Sequence, residues 1–172
     1  MTTCGQCGFQ YDAVPTADLA ATLASFGARY RDALQSAPDA VLRRRPEPAV
    51  WSALEYTCHV RDVLLVQRDR TILALVEDRP SFARMYRDER VELAGYAREN
   101  TADVAAQLAM AANLVATVYA GLSAEQLARR CVYNFPGPIE RDVAWLGRHT
   151  VHEGEHHLRD VTSVIDQLMR TG

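Results

Sequence analysis

The stretch Arg148-His149-Thr150-Val151-His152-Glu153-Gly154-Glu155-His156-His157-Leu158-Arg159-Asp160 holds four of the chain's five histidines. Read as a helix at roughly 100° per residue, it separates into faces. Arg148, Glu155, Arg159, Asp166 and Arg170 share the solvated side. Leu146, Thr150, Glu153, His157, Val161, Val164 and Leu168 recur in steps of three and four, the spacing of a core-facing stripe. Glu153 and His157 thus interrupt an apolar face, while His152 and His156 lie on a flank with Trp145, His149 and Ser163. A carboxylate and an imidazole inside such a stripe are costly to bury unless paired, hydrogen-bonded or bound to a metal. Mutual satisfaction is one reading; a metal site is the favoured one if a distant histidine also faces inward.

That histidine is His59. Trp51-Ser52-Ala53-Leu54-Glu55 opens a helix with Ser52 and Glu55 in capping-box spacing, and the helix reaches about Val76. Tyr56, His59, Val63 and Val66 mark its inner face; Arg61 and Arg68 point the other way. Asp62, three residues after His59, is a candidate to orient the imidazole from outside the ligand set, and Asp160 stands in the same relation to His157.

Two more amphipathic segments complete the set. One starts at Thr16 or Asp18 and runs to about Ser36, with Leu19, Leu23, Phe26, Tyr30 and Leu34 on one face. The other, capped by Thr101, runs to about Leu122 around Leu108, Ala111, Ala112, Val115 and Val118. Ser123 to Gln126 repeats the capping-box pattern before a short helix, Cys131 to Pro138 reads as a loop or brief strand pair, and Glu140 or Asp142 starts the last helix. The pattern predicts an all-α protein: a four-helix bundle with a long crossover between helices 2 and 3, residues 77–100, holding one short helix.

The expected organisation is an N-terminal arm, residues 1–15, and a bundle domain, residues 16–170. The arm carries Cys4-Gly5-Gln6-Cys7-Gly8-Phe9, half of a zinc knuckle. Two cysteines cannot fill a tetrahedral zinc site, and His152 and His156 offer the missing half of a Cys2His2 set. An arm with free thiols and a reversible Cys4–Cys7 disulfide are the other readings.

With 172 residues, 48% hydrophobic and 24% charged, the chain is long enough for one sizeable core. A net charge of −3, with all nineteen basic residues arginine and spread among acids, argues against a nucleic-acid surface. No apolar run of about eighteen residues and no secretory signal is visible, so a cytoplasmic location without membrane partners is expected.

Trp51-Ser52-x2-Glu55-x3-His59-x2-Asp62, taken with Glu153-x3-His157-x2-Asp160-Val161, resembles the DinB-like (YfiT-like) superfamily of four-helix metalloenzymes, over about Thr16 to Leu168. Many members carry His-x3-His on the last helix; Glu153 at the first of those positions is closer to relatives resembling mycothiol-dependent maleylpyruvate isomerase. The resemblance implies a divalent metal on His59, Glu153 and His157, and a low-molecular-weight thiol as cosubstrate. The residues agree: three protein ligands leave a coordination position open, the mark of a catalytic site. Zinc is preferred, with nickel, iron or manganese as alternatives.

The expected activity is thiol S-transfer, or a related isomerisation or hydrolysis, on a small-molecule substrate, by a chain that can pair as a homodimer. The alternative is a non-catalytic, metal-stabilised protein that senses zinc or oxidants through its Cys4–Cys7 arm. An alignment making His152 and His156 the catalytic pair is a minority reading.

Overall fold

Ser52 starts the helix that carries His59 by a complete capping box. Its side chain accepts from the Glu55 N–H, and the Glu55 carboxylate accepts from the Ser52 N–H at 2.8 Å. Arg45 closes over the same carboxylate with two hydrogen bonds, 2.6 and 2.8 Å. Burial by itself would raise the Glu55 carboxyl, but Arg45 and the Ser52 cap outweigh it and hold the group below its ordinary 4.5. A depressed folded-state value contributes stability that is present above about pH 4.5 and drains as pH falls through the folded value. Two results are expected from urea unfolding: Ser52→Ala costs about 1 kcal/mol at pH 7, and Glu55→Gln flattens the loss of stability as pH falls below about 4.5.

The computed structural model describes residues 3–171; Met1 and Thr2 of the expected arm, and Gly172, lie outside the described residues. The helices are α1 (Leu19–Gln35), α2 (Asp39–Leu42), α3 (Ala53–Val76), α4 (Arg87–Leu93), α5 (Thr101–Tyr119), α6 (Ala124–Leu127) and α7 (Val143–Thr171). Three short strands join them: β1 (Ser81–Phe82), β2 (Arg130–Asn134) and β3 (Pro138–Asp142).

The long helices α1, α3, α5 and α7 form the expected four-helix bundle. Helices α1 and α3 each pack against both α5 and α7, so sequence neighbours α1 and α3 stand diagonally across the core. The core is filled by Leu19, Leu23, Phe26 and Tyr30 of α1, Val60 and Leu64 of α3, Leu108 and Val115 of α5, and Leu146 and Val161 of α7. By length and composition α5 would pass for a membrane span, which the sequence reading did not expect. In the fold, its Val104, Leu108, Ala111, Ala112 and Val115 are buried in the bundle.

Local departures from expectation have identifiable causes. Asn100, not Thr101, caps α5, because its side-chain carbonyl reaches the N–H groups of Ala102 and Asp103. Glu140 lies in β3, and the Asp142 carboxylate accepts from the Trp145 N–H at the start of α7. Of the two readings of Cys131 to Pro138, the strand pair is the one the fold adopts, and it runs on past Pro138: β2 and β3 pair antiparallel from Arg130↔Asp142 to Asn134↔Pro138. The crossover after α3 adds β1 to the same sheet, parallel to β2, with Ser81 opposite Val132. Asn134 donates to both Ser81 Oγ and the Phe82 carbonyl at 2.8 Å, and Arg70 of α3 to the Ala83 carbonyl. These ties fasten the crossover and the hairpin together beside α7.

Candidate metal centre

His59, Glu153 and His157 meet between α3 and α7. Each offers one donor atom, and the three atoms lie within 4.8 Å of one another. His59 and His157 are buried, with rings edge to face at 4.9 Å between centroids. The Glu153 side chain is 21% exposed, and its Oε2 stands 3.7 Å from His157 Nε2.

The orientation of each group is set from outside the trio. His157 Nδ1 is 2.8 Å from Asp160 Oδ2, one turn along α7, so its Nε2 is the nitrogen turned toward Glu153. Asp160 therefore stands where the sequence puts it. Asp62 does not: its carboxylate accepts from Arg61 at 2.9 Å and from the Tyr96 hydroxyl at 2.7 Å, and pairs with Arg90. His59 Nδ1 is left buried without a hydrogen-bond partner. Asp62 braces the crossover instead, together with Arg61, which is buried and grips Glu99 and Gln107 rather than facing solvent.

Electrostatics separate the three groups. Burial, reinforced by the nearby His157, lowers His59 to about 4. Burial opposes a charge on His157 too, but Asp160 and Glu153 outweigh it and raise that imidazole to about 9. Burial alone would raise the Glu153 carboxyl; His152 and His157 overcome it and hold the group well below the usual carboxylate range. The trio sets a partly buried carboxylate against two imidazoles, one made less basic and one more basic than usual, a donor set of two nitrogens and one oxygen.

A cavity of about 450 Å³ opens onto these donors. Gln67 and Arg70, which continue the His59 stripe along α3 in steps of four and three through Val63, line one side. Gln67 Oε1 is buried and has no partner. The exposed segment Arg84 to Glu89 and the tip of the hairpin, Asn134 and Phe135, form the mouth. Periodicity alone could have found Gln67 and Arg70. The mouth comes from segments whose sequence carries no period.

His149, which the sequence puts on the flank, is held between two phenols: Nδ1 is 3.1 Å from Tyr11 Oη and Nε2 is 3.0 Å from Tyr133 Oη. Burial drives it to about 4. His152 and His156 face the N-terminal arm, where Cys4 and Cys7 lie within 4.8 Å of them. Residues of one helix therefore divide between two neighbouring clusters.

This pairing of one inward histidine on α3 with an acid and a histidine four apart on α7 coincides with a family match. The sequence model of the DinB superfamily matches residues 22–161. The chain belongs to the DinB superfamily. Among solved structures, this DinB-superfamily chain is similar to YfiT from Bacillus subtilis, described as a probable metal-dependent hydrolase with an unusual four-helix bundle topology. The likeness has a TM-score of 0.77 at 18% identity and covers 90% of this chain and 85% of that one, so it speaks to the fold. No curated protein matches the chain.

Proposed function

We propose that this DinB-superfamily protein is a divalent-metal-dependent enzyme whose metal is held by His59, Glu153 and His157. The observation that carries the reading is the position of these three donors, from two facing helices, where a cavity of about 450 Å³ meets them. A metal with an open position suits catalysis; a closed set suits structure. The residues fit the group on their own chemistry: His59 has an orphaned buried nitrogen, and Asp160 fixes the His157 ring with its other nitrogen toward Glu153. A divalent ion there supplies Lewis acidity and lowers the pKa of a thiol or water placed beside it. Zinc does so without redox chemistry, which favours it over iron.

The remaining residues bind and position. Arg70, Arg84 and Arg87 match Asp88, Glu89 and Glu153 in number around the cavity, and a divalent ion on Glu153 would tip the balance toward a small anionic substrate. Gln67 supplies a fixed hydrogen-bonding group on the wall. The reaction we favour is S-transfer from a low-molecular-weight thiol, with hydrolysis as the related outcome when water replaces the thiol. The sensing alternative requires a closed site, and the open cavity argues for the enzyme.

The test is elemental analysis of protein purified without an affinity tag, beside His59→Ala, followed by thiol-consumption and hydrolysis assays. We expect one metal equivalent to disappear in His59→Ala together with the activity. No change in metal content in His59→Ala, or activity that survives it, would overturn the reading. Asp160→Ala is expected to keep the three ligands but weaken metal binding by about 10- to 100-fold, read by competition with a chromogenic chelator.

A further inference from the structure

The arm and α7 build a second donor set that the central site does not use. Cys4 and Cys7 lie in a tight turn closed by the Gly8 N–H donating to the Cys4 carbonyl and the Cys4 N–H to the Phe9 carbonyl, both at 2.9 Å. Gly8 sits at φ +72°, a left-handed conformation that only glycine adopts without steric cost. The turn is locked onto α7 by Arg159, which donates to the Cys7 carbonyl at 2.8 Å. Beside it, one donor atom from each of Cys4, Cys7, His152 and His156 lies within 4.8 Å of the others.

Both ring nitrogens of His152 and Nδ1 of His156 are buried without a hydrogen-bond partner. His152 Nδ1 does approach Glu153 Oε1 to 3.2 Å, a Coulombic contact without hydrogen-bond alignment. Buried polar atoms are nearly always satisfied, so three orphaned nitrogens beside two free thiols require an explanation.

We propose that Cys4, Cys7, His152 and His156 form a structural Cys2His2 zinc site that staples the N-terminal arm to α7. The spacing is that of zinc proteins, two residues between the cysteines and three between the histidines. Zinc–sulfur bonds of about 2.3 Å and zinc–nitrogen bonds of about 2.0–2.1 Å give tetrahedron edges of roughly 3.3–3.8 Å. The donors therefore need to draw in by at most about 1.5 Å, within the reach of side-chain rotation. On binding, the two thiols release their protons to solvent; two thiolates and two neutral imidazoles then leave the zinc with no net charge. Four protein ligands close the site, in contrast to the three of the central one.

The two sites interleave on α7. His152 and His156 serve one, Glu153 and His157 the other, each pair four apart and turned by about 100° from its neighbour. Gln6, between the two cysteines, lines the central cavity, and Phe9 and Tyr11 pack on the His152 ring at 5.3 Å. The staple thereby fixes one wall of the cavity, which His152 and His156 line together with Gln6.

The inference does not rest on the proposed activity, and metal counting with cobalt spectroscopy separates the two. Untagged protein is expected to carry two zinc ions, Cys4→Ser/Cys7→Ser one, and His59→Ala one. Cobalt-loaded wild type and His59→Ala should both show thiolate-to-cobalt charge transfer in the near ultraviolet, which the cysteine variant lacks. A wild type with one zinc, lost in the cysteine variant and kept in His59→Ala, would support the staple while sinking the central site. Cobalt-loaded wild type without a thiolate band, or unchanged zinc content in a folded cysteine variant, would overturn the staple; the wild-type spectrum decides the matter even if the variant does not fold.

Discussion

His157→Ala is expected to empty the central site, weakening its metal by more than the roughly 10- to 100-fold that loss of a supporting hydrogen bond costs. The proposed site has three protein donors, and this change removes one while stranding two acids. Asp160 loses the ring it holds at 2.8 Å, and Glu153 loses the imidazole 3.7 Å away that helps keep its carboxyl ionised. The metal-free variant should therefore be less stable as well, because a mostly buried carboxylate keeps fewer compensating neighbours. Competition with a chelator of known affinity reads the first effect, and thermal unfolding in the presence of that chelator the second. Binding within tenfold of wild type would remove His157 from the ligand set. His156→Ala is the control: its ring stands beside the arm cysteines and 3.7 Å from Asp160 but outside the His59, Glu153 and His157 set, so the central equivalent should remain.

The second large effect is expected at Gly154. Alanine is the better helix former by about 0.5–1 kcal/mol, yet a Cβ at Gly154 would lie 2.4 Å from two carbon atoms of the Phe26 ring. That ring is fully buried, and Tyr30 fixes the backbone on the same side by donating to the Gly154 carbonyl at 2.8 Å. Neither α1 nor α7 can yield without disturbing the core, so Gly154→Ala should destabilise by about 1–3 kcal/mol. Adding Phe26→Leu supplies room, and the double variant should cost less than the sum of the singles by at least about 0.5 kcal/mol. Simple additivity in urea unfolding would show that the contact does not govern the packing. Because Gly154 is flanked by Glu153 and Glu155, a shift of α7 here should also loosen the central metal.

The last helix shows why so much was legible. A single amphipathic period assigns Leu146, Thr150, Glu153, His157, Val161, Val164 and Leu168 to the interior, and all are buried but Glu153, whose side chain is 21% exposed. The same argument works less well on α3, which is enclosed on several sides: Arg61, placed outward by its phase, is buried under the crossover beside Glu99. Sequence spacing tells which neighbours Asp62 can reach along its helix. It cannot tell that Tyr96, 34 residues away, will take the carboxylate. The DinB resemblance and the bundle stand in the comparisons as they do in the fold. The sheet contributed by residues 81–82, 130–134 and 138–142 was foreseen only as a brief strand pair, because β1 is two residues long and gains its meaning from β2. His149 shows the same limit, since its two phenol partners come from 138 residues before it and 16 residues before it.

The cavity mouth takes its residues from the segment Arg84 to Glu89 and the hairpin tip at Asn134 and Phe135, none of which belongs to the four long helices. Inheritance can therefore treat the two layers differently. The helices are constrained together, since one altered spacing on α3 or α7 would part the donors, whereas the mouth can drift segment by segment. Descendants of one ancestral bundle could thus diverge in what they accept while keeping the same inner architecture, and lineages with similar helices need not share a substrate.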